Sequence, residues 1–172
     1  MMQDKIKNIK LLLMDVDGVL TDGRIVVGNF GDEYKFFDVQ DGFGISLWRR
    51  SGYKTAIITA NKGSSVTRRA RILKIDKVYQ KAVNKLTVYE KVKKVFNIAD
   101  EQICYIGDDL IDLPVLKRVG FSCCVANASE DVKPLVNYVT KKEGGRGAIR
   151  EVIELILKTQ NLWDDATKRY YF

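Results

Sequence analysis

Apolar and polar positions along this chain follow two periods. Four short segments, Lys10–Asp15 (KLLLMD), Thr55–Thr59 (TAIIT), Ile103–Gly107 (ICYIG) and Phe121–Val125 (FSCCV), are apolar almost without interruption. Strands of a parallel sheet covered on both faces have this character. Between them, Asp41–Arg50, Gly63–Leu73, Asn84–Phe96 and Asp112–Val119 are each of helix length. In the third, Leu86, Tyr89, Val92 and Phe96 recur at helical spacing, and a last helix near Arg146–Lys158 puts Ile149, Val152, Ile153 and Ile156 on one face. Such stripes are core surfaces. The alternation predicts an α/β fold in three layers, with a doubly wound parallel sheet.

One segment breaks the pattern. Gly23–Val27 and Glu33–Phe37 are β-prone runs on either side of Gly28-Asn29-Phe30-Gly31-Asp32, which reads as a projecting β-hairpin over about 23–37. No repeat, low-complexity tract or linker interrupts the chain, so a single domain over 1–172 is expected. The tail over about 159–172 (QNLWDDATKRYYF after Thr159) is rich in aromatic residues. It is expected to dock on its own or a neighbouring subunit.

Composition narrows the chemistry. With 172 residues, 46% of them hydrophobic, the chain can fill one good core. No apolar run is long enough to span a bilayer, and the polar, lysine-bearing start is unlike a secretory signal, so no membrane role and a cytoplasmic location are expected. Cys104, Cys123 and Cys124 lie in apolar stretches without metal-ligand spacing and read as reduced, buried thiols. The chain has no histidine, which removes Ser–His and Cys–His nucleophiles, imidazole bases and imidazole metal sites together. A net charge of +7 suits an anionic partner, but the lysines are spread over helical faces with no aromatic-flanked basic block, so no nucleic acid partner is expected.

Four clusters remain for chemistry. The first strand ends in Asp15-Val16-Asp17-Gly18, the second in Thr59-Ala60-Asn61, the third helix begins at Asn84-Lys85, and Gly107-Asp108-Asp109-Leu110-Ile111-Asp112 follows another buried strand. Each alone has an ordinary explanation: a solvated acidic loop, a helix cap, a surface lysine, a favourably charged helix start. In a parallel sheet, however, all strand carboxyl ends open on one side, where such folds place their ligands. Asp15, Asp17 and Asp108 would then form a hard-oxygen site suited to Mg²⁺. Crowded carboxylates repel one another unless a cation neutralises them. Lys85 and Thr59 add donors for the equatorial oxygens of a phosphoryl group.

In this order the motifs DVDGVLTD, IITAN, NKLTVYEKV and GDDLID resemble those of the haloacid dehalogenase-like (HAD-like, Rossmannoid) phosphatase superfamily. The resemblance implies a phosphoric monoester hydrolase in which Asp15 attacks phosphorus and forms an aspartyl-phosphate. Asp17 would protonate the leaving alkoxide and then activate water, with Thr59 and Lys85 holding the phosphoryl group. Mg²⁺ would be held by the carboxylates of Asp15 and Asp108 and the backbone carbonyl of Asp17, with Asp109 and Asp112 orienting ligands or metal waters behind them.

Only a hairpin and one helix separate Asp17 from Thr59, and one helix and one strand fit between Thr59 and Lys85, so no cap domain is expected. The stretches DVDGVLTDGRI, FFDVQDGFGISL, YQKAVNKL, YIGDDLIDLPVL and GGRGAIREV resemble the capless, tetrameric 3-deoxy-D-manno-octulosonate (KDO) 8-phosphate phosphatases. That family implies a sugar-acid phosphate substrate, a place in lipopolysaccharide sugar biosynthesis and a homotetramer whose hairpins and tails reach adjoining sites. It also implies a substrate loop of Asp38, Val39, Gln40, Asp41 and Gly42. Arg69 would contact the sugar-acid carboxylate, and Arg146 would reach in from the GGRGA stretch. One departure stands out. These enzymes usually carry Thr-Gly-Arg where this chain has Thr59-Ala60-Asn61, and an amide cannot supply a bidentate cationic fork. Phosphatases of nine-carbon sugar acids, such as KDN 9-phosphate, therefore remain an alternative. A non-catalytic scaffold or binding subunit is the alternative of another class, and Asp15, Asp17, Lys85 and Asp108 all stand against it.

Overall fold

The computed structural model describes residues 2–171. Six strands form one parallel sheet in the order β5-β4-β1-β6-β7-β8: β1 Leu11–Met14, β4 Lys54–Ile58, β5 Lys77–Tyr79, β6 Ile103–Gly107, β7 Phe121–Cys124 and β8 Tyr138–Val139. The four apolar runs are its central strands, and β1, β6 and β7 are buried along their whole length. The helices are α1 Met2–Lys7, α2 Val39–Arg50, α3 Ser64–Leu73, α4 Lys85–Phe96, α5 Leu113–Leu116, α6 Ala148–Thr159 and α7 Trp163–Thr167. The pairs α2 with α6 and α4 with α5 pack together and flank the sheet. The expected stripes do cover the core. Ile149, Val152, Ile153 and Ile156 of α6 are fully buried, as are Tyr89 and Val92 of α4, with Leu86 and Phe96 packed at the margin.

Register sets the functional edge. Met14 lies beside Ile57 on one side and Ile106 on the other, so Asp15, Thr59 and Asp108 leave the sheet at nearly the same level. The strand order reverses around β1, and the crevice at such a point is where open α/β sheets bind ligands.

Several expectations are corrected in detail. The segment Asp112–Val119 is not one regular helix: a 3₁₀ turn, Leu110–Asp112, leads into the single turn of α5. The chain must turn back there, because the Gly120 N–H is tied to the Asp100 carbonyl before β7 begins. Strand β8 and helix α1 carry no apolar run of their own and escaped the pattern; α1 is anchored through the buried Ile6. The hairpin is present but short. Its strands β2 (Val26–Val27) and β3 (Glu33–Tyr34) share only the pairs Val26–Tyr34 and Val27–Glu33, and a Thr21–Phe37 bridge closes its base. All three cysteines are buried and free, as expected.

The tail docks on its own chain. Gln160 donates to the carbonyls of Ile6 and Ile9, Trp163 lies under Arg150 and Lys158, and Tyr170 packs edge-on against Phe43. Phe172, part of the expected tail, lies outside the described residues.

Candidate active site

Asp15 is held at the end of β1 by its backbone, whose N–H donates to the Ile106 carbonyl. Its carboxylate accepts from the Val16 N–H at 2.7 Å. The loop that follows is drawn tight by Thr21, which donates to the Val16 carbonyl and accepts from the N–H groups of Gly18 and Gly23. Gly18 has φ +82°, and a Cβ there would lie 2.0 Å from Asp108 Oδ2. Behind the loop, a Cβ on Gly144 would fall 1.7 Å from the Gly18 carbonyl oxygen. The GGRG stretch therefore backs the nucleophile loop through bare backbone.

Lys85 stands at the first position of α4, after the Asn84 cap, whose side chain accepts from the Thr87 N–H. Only 2% exposed, Lys85 donates at 2.6 Å to Asp15 Oδ2 and at 2.6 Å to Asp112 Oδ1. Asp112 is wholly buried. It also accepts from the Tyr105 hydroxyl, and its Oδ2 takes the N–H groups of Asp108 and Asp109 at 2.9 and 3.3 Å. One carboxylate thus fixes both the lysine and the loop that presents Asp108. Asp109 caps the 3₁₀ turn by accepting from the Leu110 N–H.

Carboxylate oxygens of Asp15, Asp108 and Asp112 come within 4.8 Å of one another. The electrostatics show the strain of that crowding. Burial, then the neighbouring Asp112 charge, pushes the Asp15 carboxyl up to about 6 against the pull of Lys85. Burial, then Asp15 and Asp112, pushes Asp108 up to about 8. Burial pulls the Lys85 ammonium down, but Asp15 and Asp112 more than reverse it and hold it above the ordinary lysine value. Three carboxylates facing one lysine leave an excess of negative charge that a small divalent cation would neutralise. The donor set fits Mg²⁺, which prefers carboxylate oxygens and retained waters. Asp112 already accepts two hydrogen bonds at each oxygen, whereas Asp15 accepts one at each, so Asp15 and Asp108 keep lone pairs for an ion. The Asp17 carboxylate stands apart from this cluster. It accepts from Lys35 at 2.5 Å and from Asn61 at 2.9 Å.

A cavity of about 290 Å³ opens over these groups, lined by Asp15, Asp17, Thr59, Asn61, Lys85, Asp108 and Asp109, among others. A neighbouring cavity of about 640 Å³ is lined by Asp38, Val39, Gln40 and Arg146, together with Arg24 and Lys142. The expected substrate loop thus divides. Asp38, Val39 and Gln40 face the second cavity, and Asp38 also caps α2 by accepting from the Asp41 N–H at 3.0 Å. Asp41 and Gly42 do not face it. Asp41 is buried, and its carboxylate accepts from the Gly147 and Arg150 N–H groups, capping α6 across the molecule. Gly42 is buried against the Arg69 guanidinium. Arg69 itself donates to the Asp38 carbonyl at 3.0 Å and lies over the Phe37 ring, so it supports the loop from behind. Arg146 lines the second cavity and not the one around Asp15. The sequence reading missed Lys35, which the hairpin carries, and Tyr105, a tyrosine within an apolar strand.

Residues 52–153 match the family model of haloacid dehalogenase-like hydrolases. The 3-deoxy-D-manno-octulosonate 8-phosphate phosphatase KdsC of Escherichia coli is 46% identical over 162 residues, 94% of this chain and 86% of that protein. The chain belongs to the KDO 8-phosphate phosphatase family. Solved structures of this family superpose closely. The Moraxella catarrhalis enzyme in complex with magnesium, phosphate and KDO gives a TM-score of 0.96 at 43% identity, covering 98% of this chain and 97% of that one. A probable phosphatase from Pseudomonas syringae gives 0.97 at 43% identity, covering 99% and 97%. The capless HAD-like fold read from the motifs is the one observed.

Proposed function

We propose that this chain is a Mg²⁺-dependent phosphatase that hydrolyses KDO 8-phosphate to KDO and phosphate, supplying the sugar for lipopolysaccharide biosynthesis. The observation that carries the chemistry is the buried Asp15–Lys85–Asp112 chain beside Asp108, at the carboxyl edge of the sheet. The family's named substrate carries the choice of ester.

Asp15 Oδ attacks phosphorus and the bond to the sugar oxygen breaks, giving an aspartyl-phosphate. The proton held by Asp17 passes to the leaving alkoxide. The resulting carboxylate then takes a proton from water as that water attacks phosphorus and releases Asp15. Lys85 and Thr59 hold the phosphoryl oxygens, and the buried ion pairs keep the nucleophile in place before reaction. Bound Mg²⁺, held by Asp15, Asp108 and the Asp17 carbonyl, would neutralise the carboxylates and the transferring group. Asp38, Val39, Gln40 and Arg146 receive the sugar acid in the adjoining cavity, and Asn61 contributes through its hold on Asp17.

The working form is a homotetramer in the cytoplasm. The hairpin supports assembly: Ile25, Val26, Val27, Phe30, Tyr34 and Phe36 are all exposed, Phe30 almost completely at 99%. Apolar exposure on this scale, on a ribbon too short to stand alone, marks an association surface. Among the described residues no helix is long and apolar enough to cross a membrane.

The direct test is phosphate release from KDO 8-phosphate with Mg²⁺, run beside KDN 9-phosphate and simple sugar phosphates. Preference for KDO 8-phosphate is the expected result. Preference for KDN 9-phosphate would keep the chemistry and replace the substrate, and inactivity on every ester would favour a scaffold.

A further inference from the structure

Arg146 stands between two tethers. On one side the Gly145 N–H donates at 2.9 Å to the Val19 carbonyl, in the loop that follows the nucleophile. On the other the Gly147 N–H donates at 3.2 Å to Asp41 Oδ2, in the first turn of α2. Asp41 Oδ1 accepts from the Arg150 N–H at 2.8 Å. Gly147 is the N-cap of α6 and makes no side-chain cap, so a carboxylate from another helix meets the free N–H groups there. Asp41 is 1% exposed and lines neither the cavity over Asp15 nor its neighbour. Capping alone would be served by a serine or an asparagine. What the carboxylate adds is a second acceptor oxygen, spent on the residue that follows Arg146.

The second cavity has two walls, the start of α2 with Asp38, Val39 and Gln40, and the stretch carrying Lys142, Gly145 and Arg146. Asp41 belongs to the first by the chain and to the second by hydrogen bonds. We propose that Asp41 is a positioning residue for Arg146: by joining the two walls it holds the exposed guanidinium where the carboxylate of a sugar-acid phosphate meets it. The proposal rests on the phosphatase reading above and deepens it, assigning substrate affinity to a buried carboxylate that touches no ligand. Without the Gly147 tether, Arg146 is fixed from the Val19 side only. Ordering it again draws on the binding energy of the substrate. The cost falls on affinity for the sugar acid and not on phosphoryl transfer, because the Asp15–Lys85–Asp112 chain has its own hydrogen bonds.

The test measures kcat and KM for Asp41→Asn, Arg146→Met and the double variant. The esters are KDO 8-phosphate, or the sugar-acid phosphate that the wild type prefers, and 4-nitrophenyl phosphate, which carries no sugar acid. An amide oxygen can serve only one of the two N–H donors. Asp41→Asn is expected to raise KM for the sugar-acid ester about tenfold, the scale of one lost charge-assisted hydrogen bond. Its kcat on that ester, and its KM for the aryl ester, should move by less than about threefold. Arg146→Met should raise KM at least as much, and the double variant no further than Arg146→Met alone, because residues that act through one another are not additive. Asp41→Ser gives the same comparison should the asparagine variant fold poorly. Equal rises in KM on both esters, an unchanged KM for the sugar-acid ester, or losses that multiply in the double variant would overturn the proposal. A wild type inert on every ester would overturn the phosphatase reading itself, and this proposal with it.

Discussion

Asp112 Oδ1 accepts a 2.6 Å hydrogen bond from Lys85 Nζ, while the other Asp112 oxygen accepts the backbone N–H groups of Asp108 and Asp109. A single buried side chain therefore sets the cation that meets the nucleophile and the loop that carries a metal ligand. Asp112→Ala should lower stability by about 3–5 kcal/mol, because the Tyr105 hydroxyl and the Asp108 and Asp109 N–H groups lose their acceptor, although Lys85 keeps Asp15. Asp112→Asn keeps the shape and should be milder in stability but still severe in activity, because an amide donates where the main chain also donates. Thermal unfolding read beside turnover separates the two effects.

Asp15→Asn should abolish turnover and leave the fold intact. The amide keeps the volume of the carboxylate but is not a nucleophile. The loss should reach about 10⁴-fold or more, as for removal of a covalent nucleophile in other enzymes. Steady-state phosphate release from a preparation free of wild-type enzyme checks it, and retained activity would remove Asp15 from the nucleophile's role.

Gly18→Ala probes the space between the nucleophile loop and Asp108. The backbone there has φ +82°, and a methyl would lie 2.0 Å from Asp108 Oδ2. The left-handed conformation alone costs a non-glycine residue about 1–2 kcal/mol, and Asp108 must also swing away. Mg²⁺ affinity by calorimetry is expected to fall at least about tenfold, the effect of disturbing a ligand's support. Unfolding should remain cooperative.

The site was legible because sheet topology converts separated motifs into neighbours. Asp15, Thr59 and Asp108 each follow an apolar strand, and parallel pairing brings those ends together whatever lies between. What the sequence concealed was side-chain direction. Asp41 sits in the same short segment as Asp38 and Gln40, yet one helical turn carries its carboxylate inward to cap α6. Arg69 and Asp38 are 31 positions apart, and no periodicity records that the guanidinium grips the Asp38 carbonyl. Lys35 carries no signal in the sequence, since nothing local marks its reach to Asp17. Short strands such as β8 pair by backbone alone and leave no apolar signature.

Removing the hairpin tests assembly. Replacing residues 25–36 by a short glycine-serine linker takes away the exposed apolar side chains together with Lys35. Light scattering should then report particles smaller than the intact chain gives, with weak activity. Full-size particles after the deletion would place the association surface elsewhere.

Metal binding should be linked to protons, with a sign fixed by the carboxyl group of Asp108. In the metal-free fold that group is pushed up to about 8, mainly by burial, and Asp15 to about 6. Both lie above the ordinary aspartate value of about 3.8 expected in the unfolded chain. Between these values the folded state keeps protons that the unfolded state has lost, so metal-free stability falls as pH rises from about 4 to about 8. Coordination requires the ionised form, so Mg²⁺ must displace the proton from Asp108 at neutral pH. Apparent affinity should rise by up to about tenfold per pH unit between about 6 and 8, more steeply below 6 where Asp15 is also protonated, and level off above 8, with close to one proton released at pH 7. Calorimetric titration in buffers of different ionisation enthalpy measures that proton directly. A pH-independent affinity with no proton release would show that Asp108 is already ionised before the cation arrives. The excess charge would then have to be carried by the Lys85 ammonium alone.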